Sequence, residues 1–234
     1  MFEREHHRQV ALVLQALDPQ VLAAHHCYFG GGTAMALRYG EYRESVDIDF
    51  LVADLTGYRG LRQMLGGVHG LKALARPGLE LALARDVTAD QYGIRTRVRS
   101  GDQAIKFEIV LEARIALEPP TPQDVICGVA TLTPLDMAAS KLLANADRWA
   151  DDAVFSRDLI DLVMQGASAD VLRQACAKAE VPYGTSVRAS VAKAVDSLRR
   201  RAHRLDQCMA ALDMRGVTKA QLWQRMRRLE KLLA

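Results

Sequence analysis

No apolar run in these 234 residues approaches the roughly 20 needed to cross a bilayer. The opening Met1-Phe2-Glu3-Arg4-Glu5-His6-His7-Arg8 lacks the basic-then-apolar order of a signal peptide. A cytoplasmic protein without a membrane partner is the expectation. The four cysteines, Cys27, Cys127, Cys176 and Cys208, lie far apart with no Cys-x-x-Cys pair, which argues against a zinc knuckle or a disulfide framework. They read as small buried side chains. Aromatics make up only 6% of the chain, and the two tryptophans offer no recognisable stacking platform. His6-His7 and His25-His26 have no metal-ligand spacing with other donors, and read as helix-surface or helix-end residues. There is no Gly-Lys-Ser/Thr of a Walker A loop, no internal repeat and no low-complexity tract.

What is there is the balance of a folded globular protein: half of the residues are hydrophobic and a quarter are charged. The length suits two domains. Net charge is only +3, yet residues 190–234 hold eleven Lys or Arg against four Asp or Glu. That asymmetry fits either a polyanionic partner or a solvated helix face.

Apolar residues at Val10, Val13, Leu14, Leu17, Val21 and Leu22 follow the spacing of one helix face and predict an opening helix over 5–24. Cys27-Tyr28-Phe29 is strand-like and runs into Gly30-Gly31-Gly32, after which Thr33 can cap a helix over 34–39. Val46 to Val52 reads as a strand, 57–66 as a helix, and the runs around Tyr92–Val98 and Ile105–Leu111 as a hairpin turning at Ser100-Gly101-Asp102. Glu118-Pro119-Pro120-Thr121-Pro122 is the strongest break, because proline lacks a backbone donor and biases its predecessor toward extended geometry. The expected domains are therefore 1–120, α/β, and 121–234, all helical. Thr133-Pro134 opens a helix to about Trp149, and further helices fit 153–165, 169–179, 185–211 and 218–233.

Asp47 and Asp49 are two apart on a strand, so their carboxylates leave one face about 6 to 7 Å apart at the backbone and can converge on a hard cation. Two acids are few for a two-metal site; Glu108, inside the apolar run Phe107-Glu108-Ile109, is the best third ligand, with Glu112 behind it. The turn Gly30-Gly31-Gly32-Thr33 lets backbone amides approach a phosphate, and the helix after it adds partial positive charge. Arg95, Arg97 and Arg99 alternate along one strand, either as a simple exposed face or as a basic stripe for RNA or NTP.

Taken together, Gly31-Gly32-Thr33, the basic residue Arg43, Ser45 and then Asp47-Ile48-Asp49-Phe50 resemble the polymerase-beta-like nucleotidyltransferase superfamily, and more closely its AbiEii/AbiGii branch of type IV toxin-antitoxin toxins. The likeness continues through Lys141, Arg148 and Arg157-Asp158-Leu159-Ile160-Asp161-Leu162, and so spans about residues 28–165. Asp151 and Asp152 are extra acids in the spacer before Arg157. The resemblance implies a small mixed sheet flanked by helices and a reaction of NTP with two Mg²⁺, or Mn²⁺, that releases pyrophosphate. It implies metal ligation by Asp47, Asp49 and Glu108, and phosphate contacts from Gly31, Gly32, Thr33, Arg43, Ser45, Lys141 and Arg148. Asp158 is implied as a further acid of the site. An RNA 3′ end, above all tRNA, is the expected acceptor, gripped by the basic tail, and a cognate antitoxin the expected protein partner. The rival expectations are an adenylyltransferase acting on a small molecule or a protein hydroxyl, and an idle module that only binds a partner.

Overall fold

The structure, a computed structural model describing residues 2–234, divides into two compact units. One comprises the residues up to Arg38 together with Ser45–Thr133, the other Tyr39–Glu44 with Pro134–Ala234. The expected α/β class with a mixed sheet holds, and no helix among the described residues is long and apolar enough to cross a membrane.

The first unit opens with α1 (Glu5–Ala16) and α2 (Pro19–Ala24) where one helix is expected. Asp18 explains the break: it adopts extended geometry, its side chain accepts from the amides of Gln20 and Val21, and Pro19 takes the first helical position. Next come β1 (Tyr28–Gly30), α3 (Gly31–Arg38), β2 (Ile48–Val52) and α4 (Leu55–Leu65). Asp54 caps α4 through the amides of Thr56 and Gly57 at 3.1 and 2.7 Å. Then follow β3 (Ala82–Ala89), β4 (Gly93–Ser100) and β5 (Gln103–Leu111).

These strands form one sheet in the order β1-β2-β5-β4-β3. β2 runs parallel to β5 and all other neighbours are antiparallel. Ile48, Phe50, Ile94, Val98, Ile105, Phe107 and Ile109 fill one face and are buried. The rings of Phe29, Phe50 and Phe107 stack across three strands with centroids 5.5 and 5.6 Å apart. Burying each such ring contributes about 1.5–3 kcal/mol, so this face anchors the sheet and leaves the opposite face to the polar residues of the alternation.

The proline-rich stretch does not end this unit. Beyond it, β6 (Val125–Ile126) and β7 (Val129–Ala130) make a small hairpin. Leu132 N–H donates to Phe29 O at 3.0 Å, and Arg38 pairs with Asp124 at 2.7 Å. By compactness the first unit runs on to Thr133.

The second unit is helical: α5 (Pro134–Arg148), α6 (Arg157–Met164), α7 (Ala169–Tyr183), α8 (Ser186–Arg200), α9 (Arg204–Ala211) and α10 (Lys219–Leu233). The single helix expected over 185–211 is two, broken at His203, whose φ of 62° is left-handed. Ala175, Cys176 and Ala179 of α7 are fully buried, as are Leu142 and Leu143 of α5. Cys27, Cys176 and Cys208 are buried and Cys127 half-buried, all as free thiols.

Candidate active site

β1 and β2 lie side by side with Gly30 opposite Asp49, and β2 lies against β5 with Asp49 opposite Glu108. The start of the glycine turn and two carboxylates therefore occupy one row across three strands. Asp47 precedes Ile48, the first residue of β2, and both aspartates are half-buried. Gly31 has φ +69°, and a Cβ there would overlap the Asp49 carboxylate. Only glycine allows both this left-handed backbone and that close approach.

α3 starts at Gly31, earlier than expected, so Thr33 lies inside its first turn rather than at its cap. Buried Thr33 donates its hydroxyl to Ser45 Oγ at 2.9 Å. Ser45 N–H in turn donates to His7 Nε2 at 3.2 Å, and His6 Nε2 lies 3.0 Å from Val46 O. His7 is fully buried in the first turn of α1, a helix-end residue rather than an exposed one. It pins the segment that delivers Asp47.

Glu108 carries the most specific electrostatics. Its carboxylate accepts from Arg95 Nε at 2.6 Å and from Lys106 Nζ at 2.5 Å, with its side chain 13% exposed. Burial favours its neutral form, but the bonds and charges of Lys106 and Arg95 prevail and hold the carboxyl below its ordinary value. For Lys106, burial opposes the charge, and Glu108, then Asp49 and Asp47, outweigh it and raise the ammonium. One lysine thus feels all three carboxylates named from the sequence.

These donors fit a hard divalent cation: they are carboxylate oxygens only, and they come from adjacent strands. Glu108 is nevertheless engaged by Lys106 and Arg95, and among the described residues no three His, Cys, Asp or Glu side chains stand gathered as a ready metal set. Glu112, the fallback ligand, is 3% exposed and chelated by its neighbour Arg114, with Nε at 2.9 Å and Nη2 at 2.7 Å.

The other expected phosphate contacts belong to the helical unit. Arg43 grips both oxygens of Asp161 with its Nε and Nη2 at 2.6 and 2.9 Å, and Tyr42 donates its hydroxyl to Asp161 at 2.7 Å. Lys141 bridges Asp161 at 2.6 Å and Asp158 at 3.2 Å. Arg148 grips Asp158 with Nε at 2.7 Å and Nη2 at 2.9 Å. Asp161 is fully buried and Asp158 nearly so. Burial works against ionising Asp161, but Arg43 and Lys141 overcome it and keep the carboxyl well below the usual range. Asp158 is lowered likewise, by Lys141 and Arg148 against burial. Such a network follows from charges in low dielectric, which need partners on every side.

Sequence reading finds the register neighbours Asp49 and Glu108, with Asp47 one alternation before Asp49, but misses Lys106 and His7. Lys106 shares the alternation parity of Glu108, a signal visible in the sequence; the partner of His7 lies 38 residues away and leaves no local trace.

Two solved structures share the fold. One is a candidate nucleotidyltransferase from H. pylori, 18% identical, with a TM-score of 0.51 over 99% of this chain and 97% of that one. The other is JHP933 from Helicobacter pylori, also 18% identical with a TM-score of 0.51, over 100% and 95%. No curated protein matches. The profile described as nucleotidyl transferase AbiEii toxin, type IV TA system, matches residues 12–229, well beyond the stretch whose motifs carry the resemblance. With nearly its whole length matched, this chain belongs to the AbiEii family of nucleotidyltransferase toxins.

Proposed function

We propose that this nucleotidyltransferase moves a nucleoside monophosphate from an NTP to the 3′ end of an RNA, with tRNA as the acceptor. The acceptor 3′ oxygen forms a bond to the α-phosphorus, the bond from that phosphorus to the β-bridging oxygen breaks, pyrophosphate leaves, and the hydroxyl proton passes to solvent. The observation that carries this reading is the row formed by the glycine turn, Asp49 and Glu108 on adjacent strands, with Asp47 one alternation away. Divalent cations, Mg²⁺ or Mn²⁺, held by Asp47, Asp49 and Glu108, would supply charge neutralisation at the triphosphate and acidify the attacking hydroxyl. The chain does the rest. The first amides of α3 face the phosphates, with the helix dipole favouring their charge, and the glycine turn lets those phosphates come close. Thr33, Ser45 and His7 hold the approach to Asp47 fixed. Preorganised donors of this kind act without reorganisation cost during reaction.

Membership of a type IV toxin family supports a cognate antitoxin as protein partner, and NTP and RNA substrates support a cytoplasmic site of action. The test is incubation of the protein with total RNA, Mg²⁺ and each radiolabelled NTP in turn. A labelled band at tRNA size is the expected result. Turnover of NTP with no label in any RNA would move the acceptor to a small molecule or a protein hydroxyl. No turnover of any NTP would point to an idle partner-binding member.

A further inference from the structure

The polar face of the sheet does not end at Glu108. β4 continues the row, with Arg95 opposite Glu108 and Arg97 opposite Lys106, and β3 places Arg85 opposite Arg97. Arg99 follows one alternation further along β4. The face therefore grades from acids on β2 and β5 to arginines on β4 and β3. Arg85, Arg97 and Arg99 are exposed, and among the described residues none of the three pairs with a carboxylate; Arg97 donates only to Ala104 O, at 3.1 Å. Beside Arg85 and Arg97 lies a hollow of about 170 Å³ lined by these two with Thr88, Arg95, Thr96 and Lys106.

The basic tail contrasts with this. Arg199 pairs with Glu230, Arg200 with Asp196, Arg201 and Arg204 with Asp152, Arg215 with Asp213 and Lys219 with Asp206. Lys193 lies over the Trp149 ring. Much of the charge that marks the tail in the sequence is thus neutralised at home, whereas that of Arg85, Arg97 and Arg99 is not.

We infer that Arg85, Arg97 and Arg99 form the docking surface for the phosphodiester backbone of the acceptor RNA, immediately upstream of its reacting 3′ end. The inference rests on the RNA reading above. Arg97 stands two strands over from β2, about 10 Å at the usual strand spacing, so a strand whose terminal hydroxyl lies at Asp47 and Asp49 would bring its next phosphates over β4. Successive arginines along β4 repeat every two residues, about 6.8 Å, a repeat that an extended single strand can follow. Guanidinium groups suit this role because their planar donors match phosphate oxygens in pairs. A pair of acids flanking the same face would repel a strand placed elsewhere on it, which fixes register as well as affinity.

The experiment measures binding of a fluorescent single-stranded RNA across a salt series for the wild type, for the triple variant Arg85→Ala, Arg97→Ala, Arg99→Ala, and for the corresponding triple lysine variant. NTP binding is measured alongside. Loss of three phosphate contacts should flatten the slope of log K against log salt by about 2, at roughly 0.7 per contact for a single strand. It should weaken binding at least tenfold at low salt, with NTP binding unchanged; the lysine variant should recover most of the slope. An alanine variant with wild-type RNA affinity and slope overturns the inference while leaving RNA labelling by the wild type, and so the reading, intact. Weakened NTP binding with unchanged RNA binding also overturns it and assigns the face to the triphosphate. A wild type that neither binds nor labels RNA overturns the reading itself.

Discussion

Asp161 is fully buried with Arg43, Lys141 and Tyr42 around it, and its removal would leave Arg43 in the interior without a counter-charge and Lys141 with Asp158 alone, which Arg148 shares. Asp161→Asn should therefore cost about 3–5 kcal/mol of stability, read as a lower midpoint in urea unfolding; a loss below about 1 kcal/mol would show that the network does not hold the helical unit. The same pairing sets a pH response. Asp161 and Asp158 have folded pKa values below the ordinary Asp value of about 3.9. Their contribution is thus fully present above about pH 4 and is lost as the pH falls further toward the folded values. Wild-type unfolding free energy should drop steeply below about pH 4, and Asp161→Asn should show a shallower drop over the same range. At the other unit, Gly31→Ala would force a Cβ into the Asp49 carboxylate at a left-handed φ. It should lower Mn²⁺ affinity at least tenfold, measured by electron paramagnetic resonance of the free ion, with the strain itself adding about 1–2 kcal/mol of destabilisation. These residues show where the sequence was readable. The alternation Asp47-Ile48-Asp49 and the parity of Glu108 are local, so the acid row could be read directly. That Arg43 binds Asp161, 118 residues away, could not.

At the scale of elements, legibility followed the strength of the local signal. β2 and β5 pair an apolar face with a polar one and were read nearly as they are. β3 was missed because it is an edge strand whose residues are mostly exposed, leaving no apolar alternation to detect; its place in the sheet comes from pairing with β4 rather than from its own pattern. The break between α8 and α9 was missed for a related reason: helical spacing resumes after it, and the signal is one left-handed residue, His203. α10 is the opposite case, since Thr218 and Gln221 form a reciprocal capping box at its start. Thr218→Ala should cost about 1 kcal/mol and lower the thermal midpoint by a few degrees, while Thr218→Ser should leave it nearly unchanged. Equal losses for the two would mean that the box does not set the helix end.

For the whole molecule, the family match over residues 12–229 ties the helical unit and the sheet unit to one enzyme class. The shared fold with the H. pylori structures at 18% identity extends over nearly the full length of each chain. Proline marks a local restriction of the backbone rather than compactness: the segment beyond the proline stretch, with the β6–β7 hairpin, packs into the first unit through Phe29 and Arg38. What the molecule does as a whole depends on whether the acids of β2 carry the chemistry. The most direct measurement is pyrophosphate release with total RNA, Mg²⁺ and each NTP, comparing the wild type with Asp47→Ala, while Mn²⁺ binding and the thermal midpoint are followed on the same samples. The account predicts that Asp47→Ala stays folded, loses Mn²⁺ binding and falls about a hundredfold to a thousandfold in turnover, the scale expected when a transition-state charge stabiliser is removed. A folded Asp47→Ala protein that still turns over NTP at the wild-type rate would contradict it.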